Sequence, residues 1–307
     1  MNTNKTPIAL FTYNRPNHTG RALASLTRCH RFDECRSYIY CDGPKSEQDR
    51  AEVEVSRTVV REWAEKQGAV VIERQENLGV ARSIVTGVTD LCREYGRVIV
   101  VEDDLVVSPA FLDYMLQALD RYQDAPQVYQ LSGYMFPVDS HATTEAFFLP
   151  CITTWGWATW ARAWHVFDWH ATGAQVRLAE VDTRRRFNLD GHYPYATMLE
   201  DRLAGRNDSW GILWWWSVFQ RNGLALYPRQ SLVINRGFDG SGRHCGSHQE
   251  KDVVMPEWSN RTFQFPQQIA PDDEAYRQVL DYLAGHGVQV EQAMSRIGRR
   301  LTRWFRH

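Results

Sequence analysis

The sequence predicts an α/β protein centred on a parallel sheet flanked by helices. Three observations carry this expectation. Short apolar, β-branched runs alternate with helical periodicity through the first 135 residues, the rhythm of strand–helix–strand units with parallel pairing. Polar clusters follow several of these runs, and ligands of such sheets bind beyond the carboxyl ends of the strands. The run Val98-Ile99-Val100-Val101, apolar enough for a strand buried on both faces, ends in three successive carboxylates, Glu102-Asp103-Asp104.

The elements follow in order. Residues 8–12 read as the first strand, closed by the turn-prone Asn14-Arg15-Pro16-Asn17, and a helix covers residues 18–26. Residues 37–41 form the second strand and Asp42-Gly43-Pro44 its turn. Ser46 with Asp49 resembles an N-cap pair for a helix reaching Lys66 and stopped by Gly68. Residues 69–73 are the third strand. Asn77 is placed to cap a helix whose apolar residues, from Leu78 through Ala81, Ile84 and Val88 to Leu91, recur every three or four positions, with Gly96 as its stop. After the fourth strand, Pro109 at a first helical position opens a helix with Leu112, Met115, Leu116 and Leu119 on one face. Residues 128–131 are the fifth strand. Beyond residue 135 the alternation gives way to aromatic- and glycine-rich loops, in which residues 213–219 read as a buried helix and 224–227 as a strand.

Composition narrows the class. A chain of 307 residues with 43% hydrophobic content can bury a substantial core. Its formal charge of -2 supplies no basic field for nucleic acid. Six cysteines without a CxxC pair read as reduced thiols. The polar residues 1–7 show no signal peptide, and no apolar stretch is long enough to span a membrane, so a cytoplasmic protein is expected.

Two regions carry distinctive chemistry besides the acidic strand end. Nine of the twelve tryptophans lie between Trp155 and Trp216, and Trp214-Trp215-Trp216 within an apolar run is core by pattern. In the tail, Val290, Met294, Ile297, Leu301, Trp304 and Phe305 share one helical face, and arginines occupy the rest. Such a helix suits an anionic membrane surface, or equally docks on the domain with its arginines in solvent. Three carboxylates at one strand end repel one another unless something positive lies among them. A hard divalent cation carrying a substrate's phosphates meets that need, and a solvated acidic turn is the plainer reading.

Val100-Val101-Glu102-Asp103-Asp104-Leu105, followed by Ser108-Pro109 and Phe111, resembles the metal-binding segment of GT-A-fold glycosyltransferases. It is similar to the N-acetylglucosaminyltransferase I type, whose metal motif reads Glu-Asp-Asp. Phe11-Thr12-Tyr13-Asn14-Arg15-Pro16 resembles the first-strand nucleotide segment, and Asn77-Leu78-Gly79-Val80-Ala81-Arg82 a helix start common among these enzymes. Gly156-Trp157 and Asn207-Asp208-Ser209-Trp210 are weaker echoes of the acceptor half. The resemblance covers residues 7–135 well and 145–245 in patches.

The resemblance implies a GT-A (Rossmann-like) fold: a mixed, mostly parallel sheet flanked by helices, with a Trp-rich acceptor side. Residues 1–135 would form the nucleotide-sugar-binding half, 136–265 the acceptor-binding and catalytic half of the same domain, and 266–307 a basic amphipathic tail. It implies Mn2+ or Mg2+ on Asp104, with Glu102 and Asp103 facing ribose and sugar hydroxyls. Thr12, Asn14 and Arg15 join the donor site, Asp42 the base, and Arg82 a phosphate or the base edge. In the Gly-rich loop over residues 235–244, His244 would complete the metal shell or touch the diphosphate, and Arg243 would neutralise it. Asp208 takes the place of the catalytic carboxylate. The family's paired acids are here Asp208-Ser209, however, Glu200-Asp201 compete nearby, and Asp208 can also cap a helix before Ile212. Trp155 and Trp157, in a Thr/Gly-rich stretch with Trp160, are candidates for stacking on an acceptor sugar.

The implied activity is inverting, metal-dependent transfer from a UDP-sugar, GlcNAc favoured, to a hydroxyl of a glycan or lipid-linked glycan. Its implied setting is surface polysaccharide biosynthesis at the inner membrane face. Two other classes stay open. A sugar nucleotidyltransferase would want a Gly-rich loop after the first strand, and residues 11–16 contain no glycine. A non-catalytic glycan- or nucleotide-binding protein of the same fold would tolerate the missing second acid beside Asp208.

Overall fold

The computed structural model describes residues 5–139, 144–237 and 262–285. The strand–helix alternation runs β1 (Thr6–Thr12), α1 (Pro16–Thr27), β2 (Cys35–Cys41), α2 (Arg50–Gln67), β3 (Val70–Glu73), α3 (Gly79–Tyr95) and β4 (Arg97–Glu102). It continues through β5 (Leu105–Val107), α4 (Phe111–Arg121), β6 (Val128–Ser132), β7 (Ala146–Leu149) and β8 (Trp157–Trp160). Short helices α5 (Ala161–Trp164), α6 (Ala174–Leu178), α7 (Val181–Phe187) and α8 (Tyr195–Leu203) precede α9 (Gly211–Phe219), β9 (Leu224–Pro228) and β10 (Val233–Asn235). A further helix covers residues 273–285.

Among the described residues eight strands form one mixed, mostly parallel sheet in the order β3-β2-β1-β4-β8-β6-β9-β7. β1 pairs parallel with β2 and β4, and β2 with β3, so the carboxyl ends of the first four strands share one edge. β8 lies antiparallel between β4 and β6, β9 runs parallel to β6, and β7 closes the sheet antiparallel to β9. Strands from the two halves of the sequence are thereby interleaved. β8 had no legible strand signal because Trp157 to Trp160 are buried on both faces, which erases the polar alternation that marks a half-exposed strand.

The four apolar residues of β4 are each 0% exposed. Val98 and Val100 face one core with α3, Trp157 and α9, whereas Ile99 and Val101 face the other with α1 and α4. That two-sided burial is what their unbroken apolar run requires. Trp214, Trp215 and Trp216 of α9 are core, as their pattern implied.

Helix boundaries show where distant partners override local signals. Gly68 and Gly96 close α2 and α3 in the left-handed conformation expected of them, at φ 66° and 75°. A reciprocal Ser46–Asp49 box stands before α2 across a single 3-10 turn, Glu47–Asp49. Pro109 lies outside α4, whose N-cap is Ala110. Asn77 does not cap α3; its side-chain amide donates to the Gly43 carbonyl at 2.8 Å. Among the described residues five cysteines, Cys29, Cys35, Cys41, Cys92 and Cys151, are buried free thiols, and Cys245 lies outside the described residues. Among the described residues no helix is long and apolar enough to cross a membrane, and the basic stretch 286–307 lies outside the described residues.

Candidate active site

The carboxyl edge of β1 to β4 is a hydrogen-bonded rim rather than a set of separate loops. The Asp42 carboxylate, at the end of β2, accepts the N–H groups of Leu78 (2.9 Å) and Gly79 (2.9 Å) and of its own neighbour Gly43 (3.0 Å). A carboxylate from another strand thus caps α3, favoured by the partial positive charge at a helix start. The turn must be glycine at 43, because a Cβ there would come within 2.5 Å of the Glu76 backbone. Arg57 of α2 binds the two strand ends from behind, donating to the carbonyls of Asp42 (3.4 Å) and Arg74 (2.5 Å).

The acidic triplet joins this rim to β1. Asp103 Oδ2 accepts from the Tyr13 N–H at 3.3 Å and the Thr12 hydroxyl at 3.2 Å. Arg15, at the N-cap of α1, places its guanidinium 3.4 Å from Asp104 Oδ2. Beyond the triplet, β5 pairs antiparallel with β10, and the Arg236 N–H donates to the Asp104 carbonyl at 2.8 Å. His18, buried in the first turn of α1, contacts the Arg236 carbonyl at 3.1 Å. Gly237 then passes so close that a Cβ on it would lie 2.5 Å from Asp104 Oδ2.

This crowding has an electrostatic consequence. Burial pushes all three carboxyls upward, and the charge of neighbouring carboxylates adds to the rise of Glu102 and Asp103. Glu102 rises well above the usual carboxylate range through burial first, and then through the charges of Asp104 and Asp103. Asp103 is pushed up to about 6, again by burial and then by Asp104. Asp104 also rises through burial, with Arg15 acting against the rise. Positive charge brought among these buried carboxylates offsets the burial cost and the repulsion that raise them. Asp104 offers the oxygen donor a hard divalent ion takes. Among the described residues no three His, Cys, Asp or Glu side chains converge as a full metal shell, so an ion here would draw its other ligands from substrate oxygens or water.

The remaining expected site residues divide. Asn14 is half-buried in the β1–α1 turn, whereas Arg82 is exposed on α3. Thr12 and Asp42 are buried, 5% exposed each, and their oxygens are engaged inside the protein. Arg74, which no spacing singled out, reaches into α3 instead, donating to the Ser83 carbonyl (3.4 Å) and Thr86 hydroxyl (3.2 Å) beneath its stack on Tyr40. A signal for Arg57 did exist, since it falls on the buried stripe of α2 with Val53 and Val60. His18 and Gly237 carried no such signal.

On the other side of β4, Trp157 corrects the expectation of an acceptor platform. It is 0% exposed, stacked on Trp210 at 5.4 Å and packed against Trp164 and Trp214, so its ring cannot meet a ligand. Trp155 is half-buried, edge-on to Tyr134 at 4.6 Å. Asp208 is half-buried just before α9, and the residue that faces the Ile212 N–H is Ser209, at 3.4 Å, not Asp208. The competing acids are engaged elsewhere: Glu200 pairs with Arg184 at 2.6 Å and Asp201 with Arg206 at 2.5 Å. Gly211 connects this segment to Thr154, and Gly156 lies against Val233 of β10, which leads back to Asp104. Arg243 and His244 lie outside the described residues.

Two depressions of about 410 and 490 Å3 lie at the opposite, amino-terminal edge of the sheet, lined by Lys5, Asp33, Arg36 and Arg97 among others. Neither contains a residue of the rim, and the three carboxylates of the second, Asp33, Glu34 and Asp120, stand among Lys5, Arg31 and Arg97.

No protein-family model matches the chain, and no curated protein matches it. Solved structures do. The mannosyltransferase PcManGT from Pyrobaculum calidifontis, in complex with GDP-Man and Mn2+, is similar over 64% of this chain and 64% of its own, at 13% identity and a TM-score of 0.37. GalNAc-T7 with UDP, GalNAc and Mn2+ is similar over 76% of this chain and 44% of its own, at 11% identity and a TM-score of 0.46. S. aureus TarS 1-349 is similar over 51% and 47%, at 14% identity and a TM-score of 0.38. The chain spans less than two thirds of the length of each of these structures.

Proposed function

We propose that this chain is a metal-dependent glycosyltransferase of the GT-A type, moving a sugar from a UDP-sugar, GlcNAc favoured, to a hydroxyl of a glycan or lipid-linked glycan. The observation that carries the reading is the acidic end of β4. Three crowded carboxylates lie on the ligand-binding edge of a parallel sheet, tied to β1 and faced by Arg15. Crowding of this kind costs stability, and a cation with a diphosphate relieves it.

In this reading Asp104 holds Mn2+ or Mg2+, which would neutralise charge on the departing diphosphate. Asp103 and Glu102 orient ribose and sugar hydroxyls. Asn14, Arg15 and Arg82 serve the nucleotide, while Thr12 and Asp42 position Asp103 and α3 around it. Asp208 accepts the proton of the acceptor hydroxyl as its oxygen attacks the anomeric carbon. The bond from that carbon to the diphosphate breaks on the opposite face, its electron pair leaves on the diphosphate oxygen, and configuration inverts. Trp155 stacks on the acceptor sugar. Arg243 and His244 would complete the diphosphate side, and residues 290–307 a peripheral membrane contact.

The test is a panel of UDP-, GDP- and CMP-sugars incubated with the protein and candidate glycan acceptors, in Mn2+ or in EDTA. Release of nucleotide from one donor in Mn2+ alone is expected. Glycan binding without metal-dependent turnover or nucleotide binding would favour the non-catalytic alternative instead.

A further inference from the structure

Resting on the glycosyl-transfer reading above, we propose that Arg15 is an exchange cation. It holds Asp104 until a divalent ion and a diphosphate arrive together and then transfers to the diphosphate, so that metal and donor are taken up as a pair.

The geometry around one oxygen carries this. Asp104 Oδ2 receives Arg15 through a single nitrogen at 3.4 Å, not through the bidentate fork of which a guanidinium is capable. The contact is long and one-sided, with both side chains still reached by solvent, 17% and 21% exposed. The same oxygen is closed on another side by Gly237, where even a Cβ would approach to 2.5 Å. A divalent ion bound to a carboxylate oxygen sits roughly 2.1 Å from it. With Gly237 fixed by the Arg236–Asp104 backbone bond, the guanidinium is the group that must yield.

Arg15 is built to move at its tip alone. Its carbonyl accepts both the N–H and the hydroxyl of Thr19, each at 2.9 Å, which anchors its backbone at the start of α1. A metal ion arriving alone would expel the guanidinium from its partner and face it as a like charge. A metal ion arriving with a diphosphate gives the guanidinium a better partner, two phosphates matching its fork. Each ligand therefore strengthens the other, and the coupling is reciprocal.

The test needs no turnover. Mn2+ binding is followed by the electron paramagnetic resonance signal of the free aquo ion, with and without UDP. The wild-type protein is expected to bind Mn2+ about tenfold tighter when UDP is present. Arg15→Met is expected to bind Mn2+ alone about tenfold tighter than wild type and to lose most of the UDP effect. Arg15→Lys, which keeps the charge, should stay close to wild type for Mn2+ alone, and thermal melts verify that each variant is folded. Equal Mn2+ affinity in wild type and Arg15→Met, or a wild type indifferent to UDP, would overturn the exchange. Absence of both Mn2+ and UDP binding in wild type would instead remove the glycosyl-transfer reading beneath it.

Discussion

Replacing Asp103 by Asn should stabilise the metal-free protein while damaging its function. In the fold the Asp103 carboxyl is pushed from 3.8 up to about 6, chiefly by burial and then by the charge of Asp104. Raising a carboxyl by that much costs about 3 kcal/mol at neutral pH. The folded state binds this proton more tightly than the unfolded chain does. As pH rises from about 4 through about 6, the unfolded chain gives up its proton first, and the contribution of Asp103 to stability falls. Above 6 the full cost is present. The amide introduced by Asp103→Asn keeps an acceptor for the Tyr13 N–H and the Thr12 hydroxyl but carries no charge, so it escapes the cost. Allowing for two weakened hydrogen bonds, Asp103→Asn should gain about 1–2 kcal/mol at pH 7.5, or about 2–5 °C in Tm for a chain of this size. Near pH 4.5, where wild-type Asp103 is protonated, the gain should nearly vanish. Urea denaturation in EDTA at the two pH values measures both. A variant that is less stable than wild type at pH 7.5, or equally shifted at both pH values, would refute the claim that burial and the charge of Asp104 hold the Asp103 carboxylate at a cost.

Three further outcomes follow from the same contacts. Gly237→Ala drives a methyl against Asp104 Oδ2, about 1–3 kcal/mol of overpacking at one oxygen; Mn2+-dependent turnover should fall about tenfold or more with a Tm shift of only a few degrees, and unchanged kinetics would remove Gly237 from the site. Trp157→Ala empties a fully buried core position and should cost about 3–5 kcal/mol in urea denaturation. Trp155→Ala should cost far less stability and raise the acceptor KM, so equal stability losses in the two variants would contradict the assignment of Trp157 alone to the core. Asp42→Ala leaves three backbone N–H groups without their acceptor; a loss of about 2 kcal/mol is expected, against less for Asp42→Asn, by the same denaturation assay.

What the sequence made legible follows from how local each signal is. The apolar run Val98 to Val101, the glycines that close α2 and α3, and the triple-tryptophan helix are local patterns, and each appeared as read. The acidic end of β4 was visible as chemistry because three successive carboxylates need an explanation anywhere. What was hidden depends on contacts between distant residues. Asn77 had the right residue type to cap α3, but Asp42, 36 positions away from Leu78, takes that task. Trp157 stood in a loop-like context, yet β8 is drawn into the middle of the sheet, where its ring became core. The closeness of Gly237 to Asp104, and of His18 to the Arg236 carbonyl, arises when β10 pairs with β5, a contact that no periodicity announces.

The central claim is that Asp104 supports a metal-dependent departure of a nucleoside diphosphate, with Asp208 activating the acceptor. The most direct measurement is nucleotide release from a UDP-sugar panel by wild type, Asp104→Ala and Asp208→Asn, each in Mn2+ and in EDTA, with UDP binding recorded in parallel. Wild type is predicted to release nucleotide in Mn2+ only. Asp104→Ala should lose both release and metal-dependent UDP binding, and Asp208→Asn should retain UDP binding without transfer. Full activity in EDTA, or an Asp104→Ala protein that releases nucleotide as fast as wild type, would contradict the claim.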